Sequence, residues 1–160
     1  MEQVLPIEEL AKQRLNILVH AYSLLIKNLM EEGLDREKVK TASDRVWSTL
    51  GEQAGQQLKP VLGEIKNIAE TEQAGAIARH VHGIEANVQR TEKESRTEFL
   101  KCPWQEALES LGLPKEWRLC PSGHAAFSEK MLKTLNPDIS NKLTKSMPMG
   151  DTTCEEVSSL

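Results

Sequence analysis

The chain has 160 residues, of which 39% are hydrophobic and 28% are charged. These proportions are typical of one globular domain with its own core, and they exclude a disordered chain. The net charge of −4 and the six aromatic residues leave neither the basic groove nor the stacking rings that nucleic-acid binding needs, so we exclude that function.

The most apolar stretch, residues 15–30, still contains His20, Lys27 and two asparagines. It is too polar to span a membrane. The opening residues are acidic and lack the positively charged region of a secretory signal. We therefore expect a cytoplasmic protein that does not enter the membrane and whose thiols stay reduced.

The first half of the chain is predicted to be helical. Apolar residues recur every three or four positions from residue 7 to about 32, between Pro6 and Gly33, which predicts an amphipathic helix. Asp35 is the expected N-cap of a second helix. Its apolar positions are Val39, Ala42, Val46, Leu50, Ala54 and Leu58, and Pro60 is expected to end it. The short connection predicts an antiparallel helical hairpin, and a weaker helical segment follows at about 61–80.

The pattern changes near Gly83 from helical spacing to alternation, which predicts a β-hairpin that turns near Lys93-Glu94. A short helix is expected from Pro103, and another begins just after Cys120 and ends before Pro137. The tail suits two short strands that meet at a turn near residues 148–150.

These elements predict one α+β domain over residues 1–160. Residues 1–80 are mainly helical, and residues 83–160 mix strands and helices. The N-terminal helical hairpin should pack against an antiparallel sheet formed mainly by the C-terminal half. The apolar stripe on residues 7–32 also offers a surface through which two copies could form a homodimer.

Three cysteines are an odd number, which argues against a disulfide framework. Cys102 and Cys120 each precede a proline at an expected helix start, where the helix dipole lowers the pKa of a thiol. Both are therefore candidate nucleophiles or metal ligands. The competing interpretation is that they are buried thiols that only fill the core.

Cys120 and His124 are one helical turn apart, so they could bind one ion or act as nucleophile and base. Together with Cys102 and Cys154 they would complete a Cys3His set, which makes zinc the candidate cofactor. Asp151, in the turn before Cys154, could orient His124 or activate water, or serve only as a turn residue.

Other polar and aromatic residues receive simpler interpretations. Trp104 is close enough to Cys102 to line a ligand pocket. His80 and His82 are expected on a solvated face, and Glu155-Glu156 is expected in solvent.

Three segments, "KCPWQEALESLG", "LCPSGHAAFSEKMLKTLNPDI" and "TKSMPMGDTTCE", resemble the C-terminal half of the L-2-amino-thiazoline-4-carboxylic acid hydrolase family. The Gly150-Asp151-x-x-Cys154 ending is also similar to the V4R small-molecule-binding domains, whose cysteines have been suggested to bind zinc. The resemblance implies an α+β ligand-binding domain with helices against an antiparallel sheet. It singles out Cys102, Cys120, Asp151 and Cys154.

Two functions stay open at this point. The first is a hydrolase that opens a C–N or C–S bond in a small cyclic sulfur-containing amino acid, with catalytic candidates Cys102, Cys120, His124 and Asp151. In that reaction, a carboxylate substrate could bind at a helix N-terminus. The second is a V4R-like module that binds a small molecule or a metal without chemistry. A third, plainer possibility is a helical interaction domain.

Overall fold

The computed structural model describes residues 6–160, and this part of the chain contains five α-helices and four β-strands. Their bounds are α1 Ile7–Glu31, α2 Arg36–Leu62, α3 Ile68–Val81, β1 Glu85–Arg90, β2 Glu94–Lys101, α4 Pro103–Ser110, α5 Cys120–Leu135, β3 Ser140–Lys145 and β4 Cys154–Ser159. Short 3-10 turns cover Lys115–Trp117 and Met147–Met149. The α+β fold predicted from the sequence is confirmed.

The first two helices have the predicted connection. Gly33 has a positive φ of 76°, and the Asp35 side chain accepts a hydrogen bond of 2.9 Å from the backbone N–H of Lys38. The prediction that Pro60 ends α2 was wrong by two residues. A proline in the last turn of a helix removes one backbone hydrogen-bond donor but does not end the helix. Helix α2 ends at Leu62, and Gly63 follows it with a φ of 73°.

The face that α2 buries differs in part from the predicted apolar stripe. Gly51 and Gly55 are buried against α5, and a Cβ atom added to either would overlap the backbone of α5. The absence of side chains at these two positions allows the two helices to lie close together. Val46 and Leu50, which we expected in the core, are 52% and 41% exposed. Close backbone packing at Gly51 and Gly55 therefore orients α2 together with Val39, Ala54 and Leu58, which are buried or pack against the core.

The four strands form one antiparallel sheet in the order β1-β2-β4-β3. The first hairpin turns at residues 91–93, where the Thr91 hydroxyl donates to the carbonyl of Glu94, as the sequence predicted within a residue. The closing hairpin turns through Met147–Met149 and Gly150, also as predicted. The two hairpins meet through β2 and β4, so these strands occupy the centre of the sheet.

The helices form a layer against this sheet. Helix α3 contacts β1, β2 and β4, and α5 contacts β3. Because α3 lies on three of the strands, the predicted packing of N-terminal helices against the sheet is confirmed. Helix α2 packs along α5. The arrangement leaves a space between the central strands and α3, α4 and α5. That a single cooperative domain spans residues 1–160 stays a prediction.

Helix α1 is apolar on two faces. Val19 and Ile26 are buried, whereas Ile17, Leu18 and Leu25 are 70%, 60% and 55% exposed. This exposed face is the surface through which two copies would associate, and the homodimer stays a prediction. No helix within residues 6–160 has the length and apolar character that crossing a membrane requires.

Candidate functional site

A cavity lies between the inner face of the sheet and the helices. It leaves about 70 Å³ for the centres of water-sized molecules, whereas one water needs about 10–15 Å³ by that measure. The wall is mostly apolar, and it includes Leu132 and Met131 from α5 and Ile84 before β1. A small number of polar side chains also face the space, which is the usual composition of a small-molecule site.

The central strands supply one wall of this cavity. Side chains alternate between the two faces of a strand, so every second residue of β2 and β4 faces the helices. The cross-strand pairs on that face are Ser95–Ser158, Thr97–Glu156 and Phe99–Cys154. Successive pairs are two residues apart along the strands, or about 6.8 Å. A hydroxyl pair, a carboxylate and a thiol therefore follow one another along the wall.

His124 on α5 faces the carboxylate of this wall. Its Nε2 lies 3.3 Å from Oε1 of Glu156 and 3.4 Å from the hydroxyl of Ser128. The Asn141 side-chain amide donates to the same Glu156 oxygen at 2.6 Å, and Ser158 donates to the amide oxygen of Asn141 at 2.7 Å. These contacts hold Glu156 in place. The polar contacts of His124 with residues 6–160 use Nε2 and none uses Nδ1.

Glu156 is ionised in this network. Burial by itself would raise the pKa of Glu156, but the charge of His124 and the hydrogen bonds from His124, Asn141 and Ser128 lower it to about 2. The expectation that Glu155-Glu156 is solvated was wrong, because both residues are 8% exposed. Glu155 faces the opposite side of the sheet, where it pairs with Arg96 and Lys145.

Cys102, Cys120 and Cys154 line the same cavity, so the structure brings together thiols that are far apart in sequence. Burial raises the pKa of each thiol, most strongly that of Cys120, which the other two cysteines raise further. The expectation that a helix start lowers the pKa of Cys120 was therefore wrong, because loss of solvent outweighs the helix dipole. His124 pairs with Glu156 rather than with Cys120.

The zinc set expected from the sequence does not form. In the described part of the chain, no group of three or more His, Cys, Asp or Glu side chains is arranged to hold a metal ion. Cys154 Sγ instead accepts a hydrogen bond of 3.3 Å from the Met147 N–H, and His124 is held by Glu156.

Asp151 lies outside the cavity and is exposed. Its side chain accepts a hydrogen bond of 2.7 Å from the Ser146 N–H, and its own N–H donates to the Ser146 carbonyl. These bonds close the turn between β3 and β4. This geometry matches the role of a turn residue, which was one of the interpretations of Asp151. The other interpretation placed Asp151 beside His124, and Glu156 occupies that position instead.

Trp104 lines the cavity as expected, within an aromatic cluster. Its ring centroid lies 5.0 Å from that of Trp47 and 6.2 Å from that of His82, and His82 lies 5.0 Å from Phe127. His82 was expected on a solvated face, but α3 turns it towards the core, whereas His80 is exposed. Burial, and to a lesser extent the charge of His124, lowers the pKa of His82 to about 4.

Two parts of this site were missed from the sequence. One is Glu156, and the other is an ion pair on α3 between Glu72 and Arg79. The alternation of β4 could have indicated Glu156, because Cys154 and Glu156 are two residues apart and must share a face of a strand. The α3 segment held no comparable signal, since its charges are ordinary for a helix surface.

A sequence profile of the L-2-amino-thiazoline-4-carboxylic acid hydrolase family matches residues 14–156. The chain belongs to this family. The match includes the N-terminal helices as well as the cysteine segments, so the resemblance inferred from the C-terminal half is confirmed and extends over most of the chain. No curated protein matches the chain in sequence.

Two solved structures share the fold of this family member. A trafficking protein particle complex subunit 3 from Naegleria fowleri, covalently bound to palmitic acid, matches with a TM-score of 0.69 at 18% identity, over 93% of this chain and 96% of that one. The phenol-responsive sensory domain of the transcription activator PoxR, with phenol, matches with a TM-score of 0.62 at 12% identity, over 88% and 73%. Both similarities concern the fold.

Proposed function

We propose that the chain is a hydrolase that opens the ring of a small cyclic sulfur-containing amino acid, of the kind that names its family. The observation that best supports this proposal is the His124–Glu156 pair on the wall of the cavity. A carboxylate held on one ring nitrogen fixes the tautomer and orientation of an imidazole. The other nitrogen is then free to take a proton, which is the task of a general base.

In the proposed reaction, Nδ1 of His124 takes a proton from water as the water oxygen bonds to the ring carbon between sulfur and nitrogen. The electrons of the C=N π bond move to the ring nitrogen, which takes this proton from His124. As the added hydroxyl becomes a carbonyl, the ring C–N bond breaks, its electron pair stays on nitrogen, and His124 carries the hydroxyl proton to that nitrogen. Glu156 accepts hydrogen bonds from Asn141 and His124, and both favour its ionised form. It therefore stabilises the imidazolium between the two steps, and one water is consumed.

The cysteines have a different role in this proposal from the one that the sequence favoured. Burial raises the pKa of Cys102 and Cys120, and a neutral thiol is a poor nucleophile. We place both beside the reacting ring as polarisable, neutral contacts for its sulfur atom. Trp104 forms part of the aromatic wall, and Asp151 serves only the turn.

The size of the cavity supports a small substrate. Space of about 70 Å³ for molecular centres admits roughly five to seven waters, or about 150–200 Å³ of liquid. A five-membered ring with an amino and a carboxylate group has a comparable volume.

A second candidate function is a module that binds a small apolar ligand without chemistry. The mostly apolar wall favours it, and structures of the same fold contain palmitic acid or phenol. The two proposals differ in what happens to the bound molecule, since only the hydrolase changes it.

The discriminating experiment follows L-2-amino-thiazoline-4-carboxylate by NMR in the presence of the purified protein. We expect loss of the ring signals and growth of the ring-opened carbamoyl product. His124→Ala should stop this conversion, whereas His80→Ala, a change at the exposed histidine of α3, should not. Wild-type protein that binds the compound, as measured by calorimetry, but leaves it intact would favour the binding module.

A further inference from the structure

An ion pair on α3 lies beside the hydroxyl end of the strand wall. Arg79 pairs with Glu72, whose other carboxylate oxygen accepts a hydrogen bond of 3.1 Å from the Ser95 hydroxyl. The two charged side chains are 11% and 16% exposed. Both line the cavity, and among the described residues that do so, Arg79 is the only arginine or lysine.

Within residues 6–160, the guanidinium of Arg79 has hydrogen-bond donors that the pairing with Glu72 does not use. It carries five N–H donors, and its pairing with Glu72 uses Nη2. The Nη1 atom lies over Gly75, where an added Cβ would be 3.0 Å away. The glycine thus keeps the space beside Nη1 free of side chains. Glu72 and Ser95 together hold the guanidinium in one orientation while other donors remain for a ligand.

The spacing of the wall suits one small molecule between Arg79 and His124. Ser95, which holds Glu72, belongs to the Ser95–Ser158 pair, and Glu156, which holds His124, belongs to the next pair along. Two residues of an antiparallel strand span about 6.8 Å. Arg79 and His124 are thus held from neighbouring positions of the same wall, where one small ring compound could contact both.

We infer that Arg79 binds the carboxylate of the substrate, and that Glu72 is a positioning residue for Arg79. The site therefore selects ring compounds that carry a carboxylate over the same rings without one. Arginine suits this task because its donors match the two oxygens of a carboxylate. The inference rests on the proposed function and adds the residue that would determine specificity.

The test compares two probes in a calorimetric titration, L-2-amino-thiazoline-4-carboxylate and 2-amino-thiazoline, which lacks the carboxylate. Wild-type protein should bind the first probe more tightly. Arg79→Gln should weaken its binding by about 10- to 100-fold, the range expected for loss of a charged hydrogen bond. Binding of the second probe should stay the same. For hydrolysis of the first probe, the variant should raise KM more than it lowers kcat.

The variant Arg79→Gln leaves Glu72 buried without its partner, which could impair folding. The double variant Glu72→Gln/Arg79→Gln keeps a neutral hydrogen-bonding pair and should lose the same preference for the carboxylate. Arg96→Gln, on the outer face of β2, is the matched control and should retain it.

The outcomes separate this inference from the proposed function. Equal binding of the two probes by wild-type protein, or no binding of either, would overturn the inference. So would a carboxylate preference that survives in both Arg79 variants, because the carboxylate would then bind elsewhere, such as the N-terminus of α5. Selective binding that depends on Arg79, but without hydrolysis, would support the inference and contradict only the hydrolase.

Discussion

The buried His82 should make folding sensitive to mild acid. Its pKa is about 4 in the folded chain against 6.5 for an ordinary histidine. Because the folded value lies below the unfolded one, the neutral ring contributes stability that is fully present above about pH 6.5. This contribution is lost as the pH falls towards 4, because His82 is then protonated in the unfolded chain but still neutral in the folded one.

The size of the effect follows from the same two values. The difference between these two pKa values corresponds to at most about 3 to 4 kcal/mol of unfolding free energy. Between pH 8 and pH 5, linkage gives a loss of about 2 kcal/mol from His82 alone. His82→Phe keeps an aromatic ring beside Phe127 but cannot take a proton, so it should remove this part of the pH dependence.

Urea denaturation followed by tryptophan fluorescence at several pH values between 8 and 5 measures the effect. The unfolding free energy of His82→Phe should fall less over this range than that of the wild type, by about 2 kcal/mol. His80→Phe, two residues away and exposed, should behave as the wild type does. If wild type and His82→Phe lose stability in parallel, the burial of a neutral His82 is refuted.

Two further predictions concern packing and thiol chemistry. Gly51→Ala should destabilise the protein by about 1–3 kcal/mol through overpacking against α5, whereas Gln56→Ala on the exposed face of α2 should be neutral or slightly stabilising; a more stable Gly51→Ala in thermal unfolding would contradict the close contact. Cys102, Cys120 and Cys154 should react slowly with iodoacetamide at neutral pH and rapidly in urea, because burial raises the pKa of each thiol, and fast alkylation of Cys120 in the native protein would instead restore it as a nucleophile.

The elements of this fold could be predicted because their signals are local. Helical spacing, the Asp35 cap and the alternation after Gly83 each depend on residues close in sequence. The face that α2 buries could not be predicted in the same way. Gly51 and Gly55 carry no apolar side chain, so a pattern of hydrophobic residues indicates Val46 and Leu50 instead, and only the approach of α5 explains the outcome.

In the candidate site, too, local features could be predicted from the sequence and features that depend on tertiary packing could not. His124 and the cysteines were found because their residue types and helix positions indicate chemistry. Glu156 was missed because its role depends on the register of β4 beside β2 and β3, which is not a local property. The low reactivity expected for Cys120 depends on burial by several elements, and a helix start alone gives the opposite expectation.

The central claim is that His124 acts as a base held in place by Glu156. Its most direct test is kcat for L-2-amino-thiazoline-4-carboxylate in His124→Gln and Glu156→Gln. We expect kcat to fall by about 100-fold or more in His124→Gln, the usual contribution of a general base, and substantially in Glu156→Gln, with KM within a few-fold of wild type. Variants that fold normally and keep kcat within about threefold of wild type would contradict the claim.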